Sequence, residues 1–299
     1  MAVPQPGIFA QGTRSHYHLE FDLRPGATDE AITAAVRGLR EPPVTAGGSN
    51  IIVGFGTELW RRLRPNDVPA DSGPFETIEG AGHTAPGTQH DIWVWTHGTG
   101  EDVELDIARG IVACFAPVAT LALEQQCFVY RDSRDLTGFI DGTENPPVEE
   151  AHDVAIIPDG QPGDGGSHVI TIKWVHNLDA FHAQDVEGQE GTIGRTKPDS
   201  IELDDKPATA HISRVVIEED GEELEIYRRS VPYGRVQEHG LYFLAFSAER
   251  NRFTKMLHRM FGVSGDGLHD HLIDFTTPVS GSFYFAPSLD ALEGILPSD

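Results

Sequence analysis

The chain reads as an α+β protein made of two ferredoxin-like units, antiparallel sheets with peripheral helices. Three observations lead there. The first half runs through extended and helical apolar patterns in the order β-α-β-β-α-β, the order of one such unit. The second half opens again on a strong strand and repeats the same kinds of segment more loosely. Between them, 131–166 is poor in regular patterns and rich in Gly, Pro and Asp. A length of 299 residues suits one large or two medium domains. The boundary is expected at 145/146, giving units 1–145 and 146–299.

Each element has a local reason. His16 to Leu23 alternates, with Tyr17, Leu19, Phe21 and Leu23 on one face of a half-buried strand. Pro25-Gly26 breaks it. Thr28 can cap a helix to Leu39 that carries acidic residues in its first turn. Ile51 to Phe55 is a buried strand, and Thr57 to Leu63 a short helix carrying Trp60. After a Pro/Gly-rich loop, Asp91 to Thr96 is a strand. Asp102 to Phe115 has helical apolar spacing, and Ala119 to Tyr130 is a long strand. In the second half, His168 to Val175 is a strand and Asn177 to His182 a helix start. Strands are expected at Ile212 to Glu218, Glu223 to Arg229 and Gly240 to Ser247, with Asp220-Gly221 turning between the first two. Arg250 to Phe261 is an amphipathic helix stopped by Gly262, and Ser282 to Phe285 a last strand.

Composition narrows the function. The net charge is −25. Such an excess opposes binding to nucleic acid or anionic lipid, which depends on Lys and Arg neutralising phosphates. It suits neutral or cationic substrates. Cys114 and Cys127 are the two cysteines, too few for a disulfide framework or a four-cysteine metal site. No basic stretch followed by an apolar run opens the chain, and no stretch has the length of a membrane span. A cytoplasmic protein is expected. No Walker A loop, no dinucleotide-binding glycine motif and no Gly-x-Ser-x-Gly elbow is present.

The most informative stretch is Gly138-Phe139-Ile140-Asp141-Gly142-Thr143-Glu144-Asn145-Pro146. It holds a carboxylate, Asp141, beside glycines that let the backbone approach a neighbour closely. That suits proton transfer. It equally suits a surface Asp-Gly turn. Among 14 histidines, His211 is distinguished by its place at the start of an expected strand beside a long polar loop. It can be an ordinary strand-end histidine or an axial haem ligand. Arg228 shares a strand face with Ser230, and Arg229 points the other way. Arg228 can stabilise a developing anion, or merely pair with Glu222, Glu223 or Glu225 at the surface. Asp274, among apolar residues, can brace a ligating histidine or simply sit in a loop. His269-Asp270-His271 fits no common zinc spacing and reads as exposed loop histidines.

Taken together, these segments resemble the dye-decolourising peroxidases, the bacterial type B branch. The resemblance runs from Val53-Gly54-Phe55-Gly56 and Trp60 through 135–146, Trp174-Val175-His176-Asn177, Ile193-Gly194-Arg195-Thr196-Lys197 and His211-Ile212-Ser213-Arg214. It continues in Tyr227-Arg228-Arg229-Ser230 and ends in Phe283-Tyr284-Phe285-Ala286. It implies two ferredoxin-like domains of the dimeric α+β barrel superfamily and one haem b (iron protoporphyrin IX). It implies His211 as proximal iron ligand, Asp141 and Arg228 as the distal catalytic pair, and Asp274 as the carboxylate behind His211. Gly142, Thr143 and Ser230 would line the haem, with Ser230 standing where some relatives carry asparagine. Arg195 and His176 would approach the haem propionates.

The implied reaction is oxidation of dyes, phenols or other organic reductants by hydrogen peroxide through a ferryl intermediate. Porphyrinogen oxidation, iron release from haem and haem storage or sensing without turnover are the alternatives. A homo-oligomer, dimer to hexamer, is expected. The tail from Leu289 shows no extended targeting peptide of the kind used for loading into a protein shell.

Overall fold

The fold is described here for residues 2–39 and 48–295 of a computed structural model. The last tail residues, 296–299, lie outside the described residues. The first half contains β1 (Ser15–Leu23), α1 (Asp29–Gly38), β2 (Asn50–Phe55), α2 (Thr57–Leu63), β3 (Ile78–Gly80), β4 (His83–Ala85), β5 (Ile92–Gly98), α3 (Glu101–Phe115) and β6 (Ala119–Phe128). The second contains α4 (Val148–Ala155), β7 (Ser167–His176), α5 (Leu178–His182), α6 (Val186–Ile193), α7 (His211–Val215), β8 (Glu218–Glu219), β9 (Glu222–Glu223), β10 (Tyr227–Arg228), β11 (Val231–Gly234), β12 (His239–Ser247), α8 (Asn251–Met260), β13 (Thr276–Pro278), β14 (Ser282–Ala286) and α9 (Leu289–Ile295).

Strand order makes the repeat explicit. The first half pairs as β2-β5-β1-β6 and the second as β11-β12-β7-β14, all antiparallel. Both are the order of a ferredoxin-like unit. Phe285 opposite Phe55 joins β14 to β2 and makes one continuous sheet. At its other margin β11 lies against β6, where Val231 and Tyr233 pack with Cys127, so the sheet curls into a barrel-like layer.

On the outside of the first half, Tyr17, Leu19, Phe21 and Val94 meet Ile32, Val36, Ile111 and Phe115 from α1 and α3. Burying each such large side chain contributes roughly 1.5–3 kcal/mol. Thr28 accepts the Ala31 N–H and caps α1, as its position before two acidic residues predicts.

The inner face departs from the simple alternation. His16, His18, Glu20 and His97 are buried rather than solvated. The His18 ring stacks on Tyr242 with centroids 3.9 Å apart, and the Tyr242 and Tyr284 hydroxyls both donate to Glu20. Trp95 Nε1–H donates to His16 Nδ1 at 3.2 Å. Strand β1 is thus covered on both faces, because the second half closes over the side that period-two reading gives to water.

The expected strand from Ile212 is instead the short helix α7. Arg259 donates to the carbonyls of Ser213 and Val216 at its end. Buried Arg214 donates to the Arg259 and Leu268 carbonyls and pairs with Asp266 at 2.8 Å. These tertiary bonds outweigh the β preference of Ile212, Val215 and Val216.

Candidate active site

Between the outer face of β7 and β12 and the helices α7 and α8 lies a cavity of ≈ 1020 Å³, its mouth included. Register explains its walls. Leu241 pairs with Trp174 and Phe243 with Ile172, so these side chains project on the same face. Met256 and Met260 of α8 close the far side. Most of the lining is therefore apolar. Three groups with chemistry enter it: His211 from α7, and Asp141 and Arg228 from loops and strand ends. Glu144, Glu223 and Glu225 also reach the lining.

His211 is held from behind. Its Nδ1 lies 2.6 Å from Oδ2 of Asp270, which is fully buried. The other Asp270 oxygen accepts the Leu272 N–H at 2.9 Å and caps the short 3-10 turn His271–Asp274. With Nδ1 engaged, Nε2 is the ring nitrogen left for the cavity. The expectation for Asp274 is therefore corrected: the carboxylate behind His211 is Asp270. Asp274 lies at the other end of the 3-10 turn, among His83, His269 and His271. Asp270 sits between two histidines in an irregular segment, where no local pattern marks it as a brace. The available signal was its place as an Asp two residues before Leu272, a capping geometry.

The Asp141 loop is fixed by backbone turns. Gly138 and Gly142 have φ of +94° and +82°, a region that a side chain would strain. Asp141 N–H donates to the Ser133 carbonyl at 3.0 Å. Asn145 then ties the loop to β10. Its amide donates to the Arg228 carbonyl and accepts the Arg228 N–H, both at 2.8 Å. Burial pushes the Asp141 carboxyl above its ordinary range. The Arg228 charge opposes that rise, Asp135 adds to it, and the Gly142 N–H and His211 oppose it. Arg228 Nε is buried without a partner among the described residues.

The remaining expected residues are placed less directly. His176 lines the cavity, with Nδ1 2.7 Å from Thr276 Oγ1 and Nε2 3.1 Å from Asp135 Oδ1. Burial raises the Asp135 pKa, but His176 and the Thr137 bonds more than offset it, to about 2. Arg195 pairs with Glu144, and with Glu202 at 3.6 Å. Gly142 and Ser230 line a second, more open hollow that shares Asp141 and Arg228 with the first. The Ser230 hydroxyl turns to the Leu244 backbone instead of the apolar cavity. Thr143 lines neither hollow, and its hydroxyl faces Ser200 at 3.4 Å. Arg229 points away from Arg228, to the Ile8 and Ala10 carbonyls.

Comparison with known proteins agrees along nearly the whole chain. The family models "Dyp-type peroxidase, N-terminal" and "Dyp-type peroxidase, C-terminal" match residues 5–129 and 132–291. A dye-decolorizing peroxidase of Rhodococcus erythropolis is 35% identical over 98% of this chain and 89% of its own length. One from Mycolicibacterium paratuberculosis is 38% identical over 86% and 73%. Among solved structures, a DypB variant of Rhodococcus jostii RHA1 in complex with heme superposes with a TM-score of 0.92 at 33% identity, covering 98% of this chain and 99% of that one. An encapsulated DyP-type peroxidase from Mycobacterium smegmatis gives 0.90 at 33% identity, covering 99% of each.

Proposed function

The chain belongs to the Dyp-type peroxidase family, and from that premise we propose that peroxide is handled by Asp141 and Arg228 opposite a haem iron ligated by His211. The protein is a haem peroxidase, an oxidoreductase. Its residues fit the cofactor. The cavity is largely apolar, a braced imidazole enters it from α7, and a buried guanidinium nitrogen without a partner among the described residues stands at its wall. Bound there, haem would supply the redox chemistry that reduces peroxide.

The side chains do the rest. His211 offers Nε2 to the metal. Asp270 accepts the hydrogen bond of Nδ1–H, which sets the tautomer and strengthens the ligand. Ionised Asp141 takes the proton from one peroxide oxygen and then, neutral, returns it to the other. Burial lowers the Arg228 pKa and the Asp141 carboxylate opposes that; the charged guanidinium stabilises the anion that forms. Apolar walls exclude water and strengthen both effects. The reductants that suit the acidic chain and the three rim glutamates are neutral or cationic dyes and phenols. The division at 145/146 belongs to the same reading, since α4 opens the second unit at Val148.

The observation that carries the proposal is that His211, braced from behind by buried Asp270, lines one apolar cavity together with Asp141 and Arg228. The test is a visible spectrum after haem reconstitution, followed by stopped-flow mixing with peroxide. Asp141→Ala should slow the spectral change by roughly 10²–10⁴, and Arg228→Leu by roughly 10²–10³. His211→Ala should lose haem on gel filtration, and Asp270→Asn should weaken its retention about 10–100-fold. Wild-type rates in both distal variants would sink the assignment. Free protoporphyrin on chromatography would point to iron release instead.

A further inference from the structure

We propose that His83, His269 and Asp274 form a zinc site where the β3–β4 hairpin meets the 3-10 turn His271–Asp274. His83 comes from β4, far from the other two in sequence, so no spacing motif betrays it. Its Nε2 lies 2.9 Å from Asp274 Oδ1, and His269 Nε2 lies 3.3 Å from the same oxygen. One ligand atom from each of the three falls within 4.8 Å of the others. His271 Nε2 stands 3.6 Å from the second Asp274 oxygen and can serve as a fourth ligand, in place of water.

The dimensions suit a small ion. Tetrahedral zinc with bonds of about 2.0–2.2 Å sets its ligand atoms about 3.3–3.5 Å apart. Reaching that from the present spacing takes shifts of about 1 Å, within side-chain rotation for half-exposed groups. Two imidazoles with one carboxylate select zinc or a neighbouring transition ion over magnesium or calcium, which prefer all-oxygen cages. The ligands also stand on fixed supports. The hairpin packs so closely on the end of α8 that a Cβ at Gly80 would lie 2.1 Å from the Phe261 carbonyl oxygen. Asp270 N–H donates to the Met260 carbonyl at 2.9 Å and anchors the other side. A bound ion would cross-link the first half of the chain to the segment that flanks Asp270 on both sides. The cluster lies outside the haem cavity, so this site stands or falls independently of the peroxidase reading.

The competing arrangement is two imidazoles donating N–H bonds to one carboxylate, with His271 nearby and no metal. Calorimetric titration of zinc chloride into the chelator-stripped, haem-loaded protein separates the two. One equivalent should bind. His83→Ala and Asp274→Asn should weaken that binding about tenfold or more, at least the penalty of losing an outer partner. His258→Ala, an exposed histidine on α8, should leave it unchanged. Zinc should raise the melting temperature of wild type and His258→Ala but not of His269→Gln, which serves if His83→Ala misfolds. No binding to wild type, or equal binding to every variant, would overturn the site.

Discussion

At Asp141 two opposed influences set the carboxyl pKa. Burial raises its pKa and the Arg228 charge lowers it. On the proposed role the carboxylate must be ionised to accept the peroxide proton, so activity should fall as pH drops through that pKa. Removing the positive charge disfavours the ionised form. Arg228→Leu should therefore move the acid limb of the pH–rate profile to higher pH, beyond slowing the reaction. An unmoved limb would mean that the two groups do not communicate. Much of this was legible in the sequence. Glycines around one acid, and an arginine whose parity separates it from its neighbour, are local signals. Asp270 was not legible as the brace, because its contact with His211 depends on a capping turn that only the tertiary fold positions.

Strand β1 shows what an element can hide. Its outer residues follow the period-two pattern, whereas its inner His16 and His18 look solvent-facing and are buried. Burial pushes the His16 pKa down to about 3 and that of His97 to about 2, with help from Arg229, and drives His18 well below the ordinary range. These rings stay neutral in the folded barrel but take protons below about pH 6.5 once unfolded. Their linked stability is thus fully present above that pH and is lost as pH falls from 6.5 towards 3. Each should cost about 1.4 kcal/mol between pH 7.5 and 5.5. Urea midpoints measured at the two pH values should show this, and His18→Phe should shrink the difference. Helix α7 is the converse. One turn of β-branched residues carries too little periodicity to betray a helix, and Arg259 bonds fix it from outside.

Across the whole molecule the repeat of two ferredoxin-like orders was readable, because each half keeps its own alternation of strands and helices. Their fusion through β14 and β2, and the closure of β11 on β6, was not. Both depend on edges meeting from distant parts of the chain. Among the described residues no helix is long and apolar enough to cross a membrane. The charge of −25 acts at this scale too. Raising ionic strength should lower kcat/KM for a cationic dye and raise it for an anionic one. Identical salt responses for the two dyes would remove the electrostatic argument. Asn145 has a last consequence, for the order of assembly. Its paired bonds to the Arg228 backbone span more than eighty residues of sequence. During synthesis the acidic loop emerges long before its cationic counterpart, and these bonds of the amide wait for Arg228 to be made. Closing that long loop is a non-local event of the slow kind. A nascent fragment that ends before β10 would carry the acid without the guanidinium.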